Sequence, residues 1–298
     1  MLIWAGSGIA VKEALVVFTP LTLIVLRFTL AVILMLAIGL IFRQNNILGL
    51  QRMDRKDLPL FLLGGLFQPF LYFIFETYTY QSFASPTIAE AMLSTQPVLA
   101  PIFAFVLLRE RVTRNNIIGI LLSTVGMLML LLLGNGQLEM GDGQLGLGKG
   151  VLLALLTVSM SVSYSVILRR IPPRYSPLSI VFYVQSISLV LFHIVWGVTG
   201  ETSTLSAMGD GLLAMGNGLL ATGYLAVFAS VAAFILFCFT VRKIGVTRAN
   251  IFNNVRPVFT AILMWILFGE ILPVWKLVGI AVIIIGLFIS EKKVKNQP

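Results

Sequence analysis

Residues 90–126, EAMLSTQPVLAPIFAFVLLRERVTRNNIIGILLSTVG, recur in outline as residues 250–286, NIFNNVRPVFTAILMWILFGEILPVWKLVGIAVIIIG. Glu90-x6-Pro97-x12-Glu110-x8-Gly119-x6-Gly126 is answered by Asn250-x6-Pro257-x12-Glu270-x8-Gly279-x6-Gly286, each mark 160 residues after its partner. Glu90/Asn250 is the one marked pair that differs in residue type, and Ser85 aligns with Gly245 at the turn before each block. Low-complexity apolar sequence produces single coincidences of this kind. A run of them in register without a gap is an internal repeat.

The repeat sits in a chain that cannot cover itself with water-loving residues. Of 298 residues, 58% are hydrophobic and 11% charged, and the mean hydropathy is +0.98. A soluble domain carries roughly 25% charged residues. The charges present cluster in short stretches between long apolar runs, so a soluble fold is excluded. The net charge of +9 does not point to nucleic acid, because the basic residues mark loops beside apolar segments. That placement fits topology signals and contact with anionic lipid headgroups. The single Cys238 excludes an intrachain disulfide and a multi-thiolate metal site, and it reads as a buried packing residue.

A bilayer core of about 30 Å takes about 20 helical residues to cross. Ten apolar spans are predicted, near 2–16, 20–42, 58–80, 84–108, 116–134, 150–168, 177–198, 212–241, 247–268 and 273–290. The eighth is long for one helix, which leaves part of 212–220 for the interface. The first is short, with Lys12 and Glu13 close behind it. It has no basic leader region and no small-residue cleavage site, so a signal peptide fits poorly. Either the helix is short or its start lies upstream, and the second reading is preferred.

Ten crossings deal the loops to two sides. One side receives Arg43, Arg52, Arg55 and Lys56; Arg109, Arg111 and Arg114; Arg169, Arg170 and Arg174; Arg242, Lys243 and Arg248; and Lys292, Lys293 and Lys295. The other receives Lys12, Lys149 and Lys276 with the neutral or acidic stretches 134–148 and 199–210. Basic loops stay cytoplasmic, so both termini are expected in the cytoplasm and the chain in the cell (inner or plasma) membrane. An error of one span would scramble this sorting.

Five helices per copy reverse the second copy, which places Glu110 on the cytoplasmic side and Glu270 outside. The expected fold is therefore all-α and integral to the membrane, with ten transmembrane helices as two inverted five-helix repeats. The first repeat covers 1–134, the second 150–290, and 291–298 form a cytoplasmic tail. Inverted repeats are the arrangement many carriers use for alternating access around a midplane site.

The repeated block, with Pro in mid-helix, Glu closing that helix and two Gly on the next, resembles the EamA domain of the drug/metabolite transporter superfamily. The Trp4…Lys12…Pro20…Arg27 stretch is similar to the start of that domain. The resemblance covers nearly the whole chain as two tandem domains, and it implies an exporter-like fold with a central substrate cavity. Two features depart from the pattern, the short first helix and Asn250 opposite Glu90.

Ionisable groups inside the membrane are costly and usually face an interior or wet cavity. Here they are Arg27, Glu76, Glu90 and Arg256, with Gln68, Gln96, Gln185, His193, Asn250, Asn253 and Asn254 as neutral company. Arg27 falls about seven residues, ~10 Å, below the outer end of its span. Glu76 and Glu90 share that outer half, while Asn250, Asn253, Asn254 and Arg256 belong to the inner half. Arg27 is expected to pair with Glu76 or Glu90, either at the substrate site or as a structural link between helices. Glu90, Ser94, Pro97 and Pro101 fall on one helical face, as do Asn250, Asn253, Asn254 and Pro257. Each Pro frees a backbone carbonyl that needs another partner in lipid, which suits a cavity wall, a hinge or a packed kink. Tyr72, Trp4 and Tyr164 are candidate cavity aromatics, the last two aligned at the 160-residue offset. Gly119, Ser123 and Gly126, like Gly279 and Gly286, form small-residue faces for close helix packing. Glu110 lies between Arg109 and Arg111 and reads as a local ion pair at a helix end.

The expected function is a secondary carrier exporting small organic metabolites such as amino acids, with a mainly apolar cavity. No cofactor is implied and the chain has no P-loop, so drive comes from a proton, the solute's own gradient or exchange. His193 titrates in the range a proton relay needs, though a lone His on an apolar helix is more often packing. A channel or a non-transporting scaffold is the alternative. An intramembrane enzyme is remote, because one His cannot supply a metalloprotease site and no serine–base constellation stands out. Substrate identity and oligomeric state are not encoded in any motif.

Overall fold

A computed structural model of the chain describes residues 2–45, 47–83, 86–93, 114–132, 147–200, 212–244, 249, 256–269 and 273–291. Its regular elements among these residues are helices. In the first half they are α1 (Leu2–Leu15), α2 (Pro20–Ile41), a 3-10 turn (Arg55–Asp57), α3 (Leu58–Gly65), α4 (Tyr72–Ser82), α5 (Pro86–Leu93) and α6 (Arg114–Leu132). In the second they are α7 (Leu147–Arg170), α8 (Pro177–Thr199), α9 (Leu212–Tyr224), α10 (Ala233–Ile244), α11 (Arg256–Phe268) and α12 (Val274–Glu291). A π-helical stretch, Leu66–Leu71, joins α3 to α4, and a second, Leu225–Ala232, joins α9 to α10.

The helix ends follow from local chemistry. Pro opens both α2 and α8, where its missing N–H costs nothing. Ser176 caps α8 by accepting the Ser179 N–H at 3.0 Å. Gly200 closes α8 and Gly269 follows α11, both at positive φ, a conformation that only glycine adopts cheaply.

Five described stretches are long and apolar enough to cross a membrane: Pro20–Ile41, Arg55–Ser82, Gly148–Arg170, Pro177–Thr199 and Met215–Lys243. Ile33, Leu40, Val190, Ile194, Leu236 and Trp265 stand exposed on the outside of the bundle. Water would not tolerate so extensive an apolar surface, and lipid requires it. The chain is a multi-pass membrane protein. The eighth expected span, 212–241, is a helix interrupted by a π stretch at Leu225–Ala232.

Contacts between the halves come in matched pairs. The interrupted helix α3–α4 packs on α7, and α9–α10 packs on α1. The first π stretch lies on α8 and the second on α2; α5 touches α7 as α11 touches α1; α2 meets α8. The two π stretches overlap at the 160-residue offset of the sequence repeat.

The closest approach is between α6 and α12. A Cβ added at Gly126 would lie 2.7 Å from the Gly279 carbonyl oxygen, and one at Gly286 would lie 2.7 Å from that of Gly119. Gly119 thus faces Gly286 while Gly126 faces Gly279, so the pair is antiparallel and each repeat position meets the other's equivalent. Ser123 Oγ also donates to the Ile283 carbonyl at 3.4 Å. These small-residue faces serve packing, as their composition predicts. Cys238 is likewise buried, in an apolar core with Phe234, Tyr164 and Val241.

Candidate functional site

The interior cavity is built around the two π stretches. In the first, Gln68 leaves helical geometry (φ −148°, ψ 117°) and Pro69 offers no N–H, so carbonyls nearby lose their helical donors. Ser188 Oγ on α8 donates to the Gly65 carbonyl at 2.7 Å. In the second stretch, Trp4 Nε1 donates to the Ala229 carbonyl at 3.1 Å and Gln185 Nε2 to that of Ser230 at 2.7 Å. Backbone left open in a membrane must find such partners. Here Ser188 and Trp4 supply them across the boundary between the halves.

Between these breaks lies a narrow cavity whose wall includes Trp4, Arg27, Gln68, Tyr72, Glu76 and Arg256, with Ser7, Phe73, Ser161, Phe234 and Phe237 completing it. It has room for water-sized guests, whereas sites for organic ligands occupy roughly 300–1,000 Å³. A metabolite enters only if helices part.

Four buried charges stand at or behind this wall, each at most 4% exposed. Arg256 on α11 pairs with Glu90 on α5 at 2.8 Å, and the Tyr80 hydroxyl donates to the same carboxylate oxygen. The Arg256 guanidinium also lies 5.7 Å from the Trp4 ring centroid. Arg27 Nε donates to Ser230 Oγ at 2.6 Å. Its guanidinium sits 4.3 Å from the Phe73 ring centroid and 5.5 Å from that of Phe28, within cation–π range. Glu76 accepts a 2.7 Å hydrogen bond from the Tyr72 hydroxyl one turn before it.

This corrects one of the two partners expected for Arg27: Glu90 is taken by Arg256. Glu76 remains the carboxylate that acts on Arg27 most strongly, although among the described residues no direct ion pair joins the two. The assignment of Arg256 to the inner half and Glu90 to the outer does not separate them. Arg256 opens α11, and its side chain reaches Glu90 on α5 directly.

The remaining sequence candidates divide three ways. Trp4 and Tyr72 line the cavity. Tyr164 is fully buried in the core, 6.5 Å ring to ring from Phe234, and is not a lining residue; its alignment with Trp4 does not give it the same role. Pro257 lies in the first turn of α11, while Ser94, Pro97, Asn250, Asn253 and Asn254 fall outside the described residues, as do Glu110 and Glu270. His193 is exposed, with Nδ1 2.9 Å from the Leu189 carbonyl oxygen. The wall is more polar than composition implies. Ser7, Ser161 and Ser230 were not legible as site residues, since a lone serine in an apolar helix gives no periodic signal.

At the end of the bundle where α2, α3, α7 and α8 meet their loops, the two halves are tied together. Ser176 Oγ donates to the Gly49 carbonyl at 2.6 Å, the Gln51 N–H to Ser179 Oγ at 2.8 Å, and the Tyr183 hydroxyl to the Gln51 carbonyl at 2.8 Å. Tyr175 donates to Asp57 at 2.6 Å, Arg174 pairs with Asp57, and Arg174 meets Asp54 at 2.7 Å. The Tyr175 hydroxyl and then the Arg174 guanidinium hold the Asp57 carboxyl below the usual aspartate range. The Tyr175 contact and then Asp57 hold Arg174 above its ordinary value.

The EamA-like transporter family model matches residues 1–132 and 148–291, two tandem copies that take in almost the whole chain. The chain belongs to the EamA-like transporter family. This EamA-like chain is 29% identical over 294 residues to the uncharacterized transporter YetK of Bacillus subtilis (strain 168), covering 98% of this chain and 84% of that one. It is 28% identical over 287 residues to the S-adenosylmethionine/S-adenosylhomocysteine transporter of Chlamydia trachomatis serovar D, covering 95% and 84%. A solved crystal structure 20% identical in sequence matches it with a TM-score of 0.72 over 97% of this chain and 94% of its own, a likeness of fold. Family and relatives are transporters, and the activity of this EamA-like chain is transport.

Proposed function

We propose that this protein is a secondary carrier that exports small organic metabolites such as amino acids across the cell membrane by alternating access. The observation that carries this reading is the cavity itself, narrow, with Arg27 and Glu76 from one half and Arg256 from the other on its wall. A wall shared by two bodies opens when they rock apart and closes when they return.

The architecture that fits is ten helices in two five-helix repeats, 1–134 and 150–290, of opposite orientation, with 291–298 a cytoplasmic tail and both termini in the cytoplasm. The reciprocal contacts of Gly126 with Gly279 and Gly286 with Gly119 support it. A two-fold axis that exchanges two antiparallel spanning helices lies in the membrane plane, as an inverted repeat requires. The segregation of arginines and lysines supports the direction. The tie between residues 47–57 and 174–183 then closes the cytoplasmic end, and it has to open for a solute to pass.

Arg27, Trp4, Tyr72, Glu76, Glu90 and Arg256 form the substrate path in this reading, continued by the faces carrying Ser94 and Pro97 and carrying Asn250, Asn253, Asn254 and Pro257. The Chlamydia relatives are named for two solutes that both carry an α-amino-acid group, which fits the substrate class. Drive comes from a proton, the solute's gradient or exchange.

Counterflow in proteoliposomes over a panel of amino acids tests the reading. A carrier gives saturable uptake stimulated by unlabelled solute on the far side. Uptake that neither saturates nor responds to the far side marks a channel and removes the proposal. Growth of cells overproducing the protein on toxic amino-acid analogues reads the direction, with export giving resistance.

A further inference from the structure

The four charges between the halves are not used alike. Arg256 and Glu90 neutralise each other directly at 2.8 Å. Arg27 and Glu76 line the same cavity, yet each is held by a neutral group: Arg27 by Ser230 on the second π stretch, Glu76 by Tyr72 on its own helix. Among the described residues neither makes a second hydrogen bond. Opposite charges in a low-dielectric interior attract strongly, and a buried charge without a counter-ion is costly. Two separate anchors therefore keep apart a pair that electrostatics alone would close. The guanidinium retains its two terminal nitrogens for an acceptor, and the carboxylate retains an oxygen for a donor.

We infer that Arg27 and Glu76 are the two poles of a zwitterion site. Arg27 takes the carboxylate of an α-amino acid, Glu76 takes its ammonium group, and the substrate's side chain rests against Trp4, Phe234 and Phe237 of the same wall. The poles attract each other and Glu76 also feels Arg256, but neither has a direct ion pair among the described residues. The bound solute supplies that direct contact to each. A solute with one charge leaves the opposite pole desolvated and unpaired, and that penalty is the basis of rejection. The inference rests on the carrier reading and assigns its substrate class to two named residues.

The test uses the full-length protein in proteoliposomes and measures counterflow of L-phenylalanine and L-methionine. Each is compared with the amine lacking its carboxylate and the acid lacking its amino group. The parent amino acids are expected to exchange, with both analogues weaker by roughly tenfold to a hundredfold. In Arg27→Gln the parent loses its advantage over the amine and keeps it over the acid; in Glu76→Gln the order reverses. Arg27→Lys, which keeps the charge, retains part of the preference. If the buried substitutions prevent folding, the analogue comparison on the unaltered protein decides alone. Equal exchange of an amine or acid and its parent overturns the zwitterion site. So does exchange of sugars, nucleosides or organic acids without amino acids, which leaves the carrier intact. Absence of trans-stimulated exchange for every probe removes the carrier reading and this inference with it.

Discussion

Arg256 and Glu90, 166 residues apart and on helices from different halves, form a direct buried ion pair at 2.8 Å. Removing one member leaves the other charge buried and without its direct partner, which costs about 3–5 kcal/mol. Glu90→Gln and Arg256→Met should each lower the thermal unfolding temperature in detergent sharply. The double variant should lose less than the two single losses combined. Strict additivity in that cycle would mean the pair is not energetically coupled.

The α6–α12 crossing depends on two positions without side chains. With a carbonyl oxygen 2.7 Å from a Cβ at either Gly126 or Gly286, the helices must separate to admit one. Gly126→Ala and Gly286→Ala should each destabilise by about 1–3 kcal/mol, and Gly126→Leu more. A Gly148→Ala control, where nothing lies within 4 Å of the added Cβ, should change little. Unfolding followed by intrinsic fluorescence compares the four variants.

The tie between the loops can be locked. Gln51 N lies 2.8 Å from Ser179 Oγ, so the two residues are neighbours across the tie. Gln51→Cys with Ser179→Cys, in a Cys238→Ser background, should cross-link on mild oxidation. Counterflow should then fall toward background and return on reduction. Undiminished counterflow in the oxidised protein would mean that this end does not open during transport.

The same tie should respond to acid. The Asp57 carboxyl is held below its ordinary value by Tyr175 and Arg174, so its contribution is complete above the unfolded aspartate pKa and is lost as pH falls through the depressed folded value. The Asp54 N–H, which donates to the Tyr175 hydroxyl at 3.0 Å, should stay protected from hydrogen exchange at neutral pH. Its protection should drop below about pH 4 after correction for intrinsic rates. Asp57→Asn should lower protection at neutral pH and abolish that acid step.

Helix positions were largely legible because lipid simplifies the problem. A single apolar segment with no water to satisfy its backbone does so by forming a helix, so apolar length alone predicted 20–42, 116–134, 150–168 and 177–198. The structure has Pro20–Ile41, Arg114–Leu132, Leu147–Arg170 and Pro177–Thr199. The π stretches were less visible. Gln68-Pro69 marks the first as a Pro inside an apolar run, but LAVFASVA at 225–232 reads as ordinary helix. The buried charges were identified by type, and their partners were not: Ser230 is 203 residues from Arg27, one serine among many.

By itself the sequence determined that the chain lives in a membrane, where its long apolar stretches lie, that its two parts are copies, and which rare charges fall within those stretches. Each of these follows from a property carried along the chain: apolar length, a repeat offset, or the cost of a charge in hydrocarbon. Which charge meets which was decided in three dimensions. Contacts between the halves depend on where two π breaks aim their carbonyls and on how closely Gly126 and Gly286 let helices approach. A one-dimensional pattern specifies the face of a helix but not the neighbour that the face meets.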